Sequence, residues 1–227
     1  MPSRPVPRLG PPAQSREASV STSGERNLAK ARATQVSKAL SQLLRHTAPR
    51  YSVVVAADGY ADLANVMDCF AIRSLFTTED EIREVVRTND KGRFQMQEHD
   101  RGLRIRACQG HTIATVRVEQ VAQAISSDNL PPVIVHGTGA HLSESIRSKG
   151  LLAGGLSNTR NDVHFAPGLP GGTGGRSGMR SDCTLYVYLD GQQALQRSLP
   201  MFLSANNVIV SPGFSGVIPS VMLWATD

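Results

Sequence analysis

The residues best equipped for chemistry lie in Leu103–Thr112, which reads Leu-Arg-Ile-Arg-Ala-Cys-Gln-Gly-His-Thr. Leu103, Ile105 and Ala107 alternate with Arg104 and Arg106, a period of two that predicts a strand with one buried face. The strand then runs into Gln109, Gly110 and His111, a polar turn in which glycine frees the backbone. Two guanidiniums, an amide and an imidazole therefore gather at one strand end. A guanidinium fork matches two phosphate oxygens at once, so the cluster is suited to holding a phosphoryl group. The same residues would also serve as a solvated strand face with a hydrogen-bonded turn, and the rest of the chain must decide between the two.

A second cationic pair, Arg45-His46, falls at the end of an amphipathic helix. Cations complement the helix dipole there, and they are also free to meet an anion. Six histidines are present, and His136 and His164 each fall at the end of an apolar run. Site residues commonly emerge at strand ends. Gly168 to Gly175 is rich in glycine but has no Walker lysine and no helix opening after it, so it reads as a surface loop or lid. No Gly-x-Ser-x-Gly elbow, His-Glu-x-x-His or paired-cysteine spacing occurs, and Cys69, Cys108 and Cys183 form neither a disulfide framework nor a zinc site. No metal is expected, and three scattered cysteines suit a reducing compartment.

The elements that must position these residues follow from periodicity. Val36, Ala39, Leu40, Leu43 and Leu44 predict a helix from Thr34. Leu63, Val66 and Met67 predict a short second helix. Ile82, Val85 and Val86 behind Glu79-Asp80-Glu81 predict a third. Phe94 and Met96 predict a strand that turns back at Glu98–Gly102 into the arginine-bearing strand. Val116–Ile125 leads out as helix or strand, and Asn129–Pro132 marks a boundary. Beyond it, Val133–Val135 reads as a buried strand ending at His136-Gly137-Thr138. Leu142 to Gly150 reads as a helix with a glycine stop. Short strands follow at Asp162–Phe165, Thr184–Leu189, Met201–Phe202, Asn207–Val210 and Val221–Trp224. The class is α+β.

Charge divides unevenly along the chain: +4 over residues 1–32, zero over 33–131 and +1 over 132–227. Residues 1–32 are rich in Pro, Ser, Arg and Gly and predict a disordered basic tail. Organelle targeting is the alternative reading of this tail, and Glu17, Glu25 and the prolines suit a transit helix poorly. The remainder is nearly neutral, so it would bind nucleic acid through placed arginines rather than a strongly basic surface. No apolar run approaches the ~18 residues of a membrane span.

Five motifs occur in one order: Leu-Arg-His at 44–46, Ile-Arg-Ala-Cys-Gln-Gly-His at 105–111, His-Gly-Thr at 136–138, Arg-Asn-Asp-Val-His-Phe at 160–165 and Ser-Ala-Asn-Asn-Val-Ile-Val at 204–210. From about residue 34 to its end the chain resembles the NAD-dependent RNA 2′-phosphotransferases of tRNA splicing, most closely the eukaryotic members. The resemblance implies a winged-helix RNA lobe over 33–128, joined to an ADP-ribosyltransferase-like NAD lobe over 129–227. The implied reaction has two steps. The RNA 2′-phosphate attacks C1″ of the NAD ribose and expels nicotinamide. The ribose 2″-hydroxyl then attacks phosphorus, releasing 2′-hydroxyl RNA and ADP-ribose 1″,2″-cyclic phosphate.

By resemblance Arg45, His46, Arg106 and Arg160 cradle the phosphate, with Gln109 and His111 beside them. Arg106 is preferred to Arg104, whose position varies in the family. His136, Gly137, Thr138 and His164 match the NAD site. NAD is consumed, 2′-phosphorylated tRNA or RNA is the partner, and the chain is expected to act as a monomer in cytoplasm or nucleus. Many ADP-ribosyltransferases carry a late-strand glutamate to activate an acceptor. Here Asn207–Val210 offers an apolar residue, which suits a substrate that brings its own charge. Cys108 stands where the family usually has asparagine. Two other readings remain open: an ADP-ribosyltransferase that caps terminal phosphates and stops after the first step, and an idle RNA-binding module.

Overall fold

The apolar stripe Val36, Leu40, Leu43, Leu44 is fully buried in the computed structural model of the chain, and the elements that follow are built around equally short stripes. The structure describes residues 17–155, 160–169, 179 and 182–226. By its internal contacts the chain divides into residues 1–35 and residues 36–227.

In the first unit the described residues are helical. The helix α1 runs Glu17–Gln42, which corrects the expected start at Thr34 and the expected disorder over residues 17–32; residues 1–16 of the expected tail lie outside the described residues. Its early residues from Ser23 to Glu25 onward are solvent-exposed. They lack an apolar stripe, the signal from which the helix was sought. Ala, Leu, Lys, Arg and Glu between 25 and 33 have high intrinsic helix propensity, and that supports a helix without a buried face.

In residues 36–227 all named strand pairings are antiparallel. After α1 the backbone widens into a π turn at Leu43–Thr47 and tightens into a 3-10 turn at Ala48–Tyr51. Then come β1 (Ala61–Asp62), α2 (Leu63–Asp68), α3 (Phe70–Arg73) and α4 (Glu79–Arg87). The acidic first turn of α4 sits against the positive end of its helix dipole, and Thr78 Oγ1 accepts from Glu81 N at 3.2 Å as its cap. The hairpin β2 (Phe94–His99) and β3 (Gly102–Ala107) pairs Gln95 with Arg106 and Gln97 with Arg104. Ile105 and Ala107 are fully buried, as period two requires. With β1 on the far edge this sheet has the order β1-β3-β2.

The stretch left as helix or strand is both: α5 (Val118–Val121), then β4 (Gln123–Ala124). Next are β5 (Val135–Thr138), α6 (Ser143–Lys149), β6 (Leu151–Leu152) and β7 (Val163–Phe165). The chain ends through β8 (Leu185–Leu189), α7 (Gly191–Gln196), β9 (Phe202–Leu203), β10 (Ile209–Ser211), β11 (Val217–Ile218) and β12 (Leu223–Thr226). These strands form sheets of order β4-β9-β10-β7 and β12-β8-β5, with β11 paired to β6. Phe165, Leu185, Ile209, Ile218 and Met222 share one core. Val133 is exposed rather than buried, and β5 itself includes His136–Thr138, so the histidine lies within the strand rather than just past it. Of the Gly/Pro loop at 166–180, only 166–169 and 179 lie within the described residues. No described helix is long and apolar enough to cross a membrane.

Gly150 closes α6 with φ +78° and ψ −170°, a conformation open to glycine almost alone. A Cβ there would also strike the backbone oxygen of Ile218. Gly150→Ala should therefore cost at least ~2 kcal/mol. An unchanged urea midpoint would show that this corner is softer than its geometry.

Candidate functional site

The π turn at Leu43–Thr47 delivers Arg45 and His46 to the turn that follows β3. Thr112 N donates to Arg45 O at 2.8 Å, which locks the two segments together. His46 Nδ1 lies 3.0 Å from Thr112 Oγ1, and that hydroxyl in turn lies 3.3 Å from Arg45 O. Gly110 has φ +85°, and a Cβ built there would lie 3.6 Å from Arg45 Nε, so the turn runs directly over the guanidinium. Arg45 Nε and Nη2 are buried with no hydrogen-bond partner among the described residues. Burial is the largest cause lowering the Arg45 pKa to about 10, followed by the neighbouring cations Arg160 and Arg93. Among the described residues none of these three arginines has a carboxylate partner. A desolvated cation beside two others is costly unless an anion completes the group.

Arg160 reaches the same place from the segment before β7, where Asn161 N donates to His111 O at 3.2 Å. Burial, then Arg45 and Arg160, lower the His46 pKa. The structure thus brings Arg45, His46 and Arg160 together as the sequence motifs implied. Arg106 differs. Its Nε and Nη2 donate to Gln95 Oε1 at 3.0 and 2.7 Å, and its Nη1 donates to Asp58 O at 2.9 Å. Its guanidinium also lies 4.7 Å from the Tyr60 ring centre, with Arg104 at 4.8 Å from the same ring. The arginine that faces Arg45 from the hairpin is Arg93, just before β2. It was missed because it stands outside the alternating strand. The available signal was its place across the hairpin from the motif turn, since Cys108 N donates to Arg93 O at 2.9 Å.

Cys108 is buried. Its Sγ donates to Gly92 O at 3.1 Å, and burial pushes its pKa up to about 11, so it stays a thiol. It ties the same corner that an asparagine amide could tie.

Beside the cations opens a cleft of about 880 Å³, within the ordinary range for a sizeable ligand. His136, Gly137, Thr138, Arg160 and His164 all line it. His136 Nδ1 donates to His164 O at 2.8 Å, and burial lowers its pKa, so its neutral ring keeps Nε2 as an acceptor. His164 lies with Nε2 2.8 Å from Gln109 Oε1 and Nδ1 3.2 Å from Asp162 O. Burial, then Arg160 and Arg45, lower its pKa to about 3. Gln109 therefore links the cationic turn to the cleft wall through His164. A Cβ on Gly137 would lie 2.5 Å from Met179 Cγ and 2.6 Å from Cys183 Sγ, so a side chain there would force those two to shift.

A smaller cavity of about 210 Å³ lies on the other side of the turn, between Gln109–His111 and α5. Asp162 lines both cavities, and burial, then Glu119, raises its pKa to about 6. His111 is buried, and burial, then Arg45, lowers its pKa to about 4. Among the described residues no three His, Cys, Asp or Glu gather to hold a metal.

The model of the RNA 2′-phosphotransferase, Tpt1 / KptA family matches residues 31–213. The chain belongs to that family. Its motif resemblance is borne out, and the family's members are transferases. It is 43% identical to the human tRNA 2′-phosphotransferase 1 over 184 residues, covering 80% of this chain and 70% of the human one. The tRNA 2′-phosphotransferase of Saccharomyces cerevisiae is 34% identical, over 79% of each chain. A probable RNA 2′-phosphotransferase of Burkholderia pseudomallei is 36% identical over 60% of this chain and 67% of its own length. The match takes in Arg45, His46, Arg93, the cleft histidines and Arg160, and leaves out residues 1–30.

The buried histidines set a pH dependence. His46, His111, His136 and His164 all have folded pKa values below the ordinary 6.5. They regain protons on unfolding, so stability they confer above pH 6.5 is lost as pH falls toward 4. Asp162, raised from 3.8 to about 6, opposes this between those two values. Four groups outweigh one. The urea midpoint should fall between pH 7.5 and pH 5, and a midpoint that rises would contradict the assigned neutral rings.

Proposed function

We propose that this chain removes the 2′-phosphate from a ligated tRNA splice junction by transferring it to NAD. The observation that carries the reading is the cluster of Arg45, Arg93, Arg160 and His46, unpaired by carboxylate among the described residues and continuous with the large cleft. The helices and the hairpin of residues 36–107 support the winged-helix reading of the RNA lobe. The sheets around the cleft support an ADP-ribosyltransferase-like NAD lobe.

An RNA 2′-phosphate is already anionic, so no protein base is needed to generate the nucleophile. The chain must instead orient the phosphate and stabilise charge as it moves about phosphorus. Arg45 is suited to this because its buried Nε and Nη2 lack partners. Arg160 and Arg93 approach from two other segments. We assign the hairpin's contribution to Arg93 instead of Arg106, whose donors are committed to Gln95 and Asp58. Arg106 then stiffens the strand that carries the Gln109–His111 turn. Gln109 holds His164, and His111 holds Asn161 beside Arg160 through its carbonyl.

The cleft suits NAD by its volume, by the close backbone at Gly137 and by His136 Nε2, an acceptor placed for a ribose hydroxyl. Thr138 continues the same strand edge. When bound, NAD supplies an electrophilic ribose carbon with neutral nicotinamide as its leaving group. His46 is neutral near pH 7 in the free protein. A phosphate anion beside it would raise its pKa, so it can take the proton that the ribose 2″-hydroxyl loses and give it to the departing 2′-oxygen.

Incubation with a 2′-phosphorylated oligoribonucleotide should be NAD-dependent and should yield 2′-hydroxyl RNA and ADP-ribose 1″,2″-cyclic phosphate. A stable ADP-ribosylated RNA as the final product would favour the capping activity, and no reaction would favour an idle RNA-binding module. Arg93→Ala should lower kcat/KM by roughly 100-fold or more. Arg106→Ala should cost less activity and more thermal stability. The reverse ranking would return the cradle position to Arg106.

A further inference from the structure

We infer that Thr112 is the positioning residue for His46: it fixes the imidazole with its proton on Nδ1 and so reserves Nε2 for the substrate. The inference rests on the phosphotransferase reading above for its chemical purpose, but its geometry stands alone. The Thr112 hydroxyl makes two contacts, 3.0 Å to His46 Nδ1 and 3.3 Å to Arg45 O. A hydroxyl has one hydrogen, and a carbonyl can only accept. Both contacts are satisfied only when Oγ1 donates to Arg45 O and His46 Nδ1–H donates to Oγ1. Arg45 O already accepts from Thr112 N at 2.8 Å, so the main chain places the hydroxyl before His46 arrives. His46 Nε2 has no partner among the described residues, and the ring stands beside the Arg45 and Arg160 guanidiniums.

The consequence is chemical. A free neutral imidazole favours the Nε2–H form, in which Nε2 would donate toward the cations and repel them. The Thr112 contact selects the opposite form. Nε2 then presents a lone pair to the phosphate site. It can receive the proton that the ribose 2″-hydroxyl loses on attacking phosphorus and pass that proton to the departing 2′-oxygen, while Nδ1–H stays bound to Thr112 throughout. His46 returns to the same neutral form after each turnover.

The test is the tautomer itself, read by 15N NMR on histidine-labelled full-length protein without substrate. Wild type should show His46 as Nδ1–H. Thr112→Val keeps the shape and the main-chain bond to Arg45 O, and it should shift His46 toward Nε2–H. Its kcat should fall roughly tenfold with KM for NAD within twofold, and Thr112→Ser should recover most of the loss. An Nε2–H His46 in wild type, or an unchanged tautomer in Thr112→Val, overturns the inference. So does a loss that Thr112→Ser fails to recover. If wild type itself turns over no 2′-phosphorylated RNA, the phosphotransferase reading fails while the tautomer result still decides the role of Thr112.

Discussion

Packing three guanidiniums and an imidazole together without a carboxylate is the constraint on which the rest of the site depends. Burial first, and the repulsion of like charges after it, lowers the pKa values of Arg45, His46 and His164. The surrounding structure must hold the group against it. It does so with main-chain hydrogen bonds: Thr112 N to Arg45 O, Cys108 N to Arg93 O and Asn161 N to His111 O. Arg45 and Arg93 are thereby fixed through their own carbonyls, and Arg160 through its neighbour Asn161, to the single turn after β3. In the cradle we propose, an incoming phosphate would relieve the repulsion that remains, so part of the binding energy would be stored in the folded protein beforehand.

Burial above all, with the neighbouring arginines after it, keeps the histidines of the cleft neutral. His164 sits between Gln109 and the arginines, and His136 donates to His164 O. A charged imidazole at either place would add to the same repulsion. Neutral rings keep acceptors available on the cleft wall, while the guanidiniums keep the donors. The site thus separates positive and neutral polar surface over a few residues, using one strand end.

Much of this was legible in the sequence. The alternation of Leu103, Ile105 and Ala107 located β3, and the acidic turn at 79–81 located α4. The order of five motifs identified the family. What escaped had no local signature. Arg93 lies outside any periodic stripe, and only the hairpin register brings it to Arg45. Arg106 looked free because alternation sets which face a side chain takes, not which partners wait there. Tyr60, Gln95 and Asp58 come from three other segments. The early part of α1 was read as disorder because its helix has no buried face to leave a pattern. The boundary near residue 128 was placed at a proline-rich stretch, whereas β4, just before it, pairs with β9.

The π turn at Leu43–Thr47 bears on how the family can vary in length. An α-helix rotates its side chains by about 100° per residue. Residues added to or removed from the start of α1 leave the phase at Arg45 and His46 unchanged, because the buried stripe at Val36, Leu40, Leu43 and Leu44 sets it. Within the wide turn the bookkeeping is different: its extra residue offsets the helical phase just where the two cations leave the helix. Deleting one residue there would restore a regular helix and swing the pair by about a quarter turn. The helix can therefore change length before Val36 without moving the pair, while the five residues after Gln42 are held to their number.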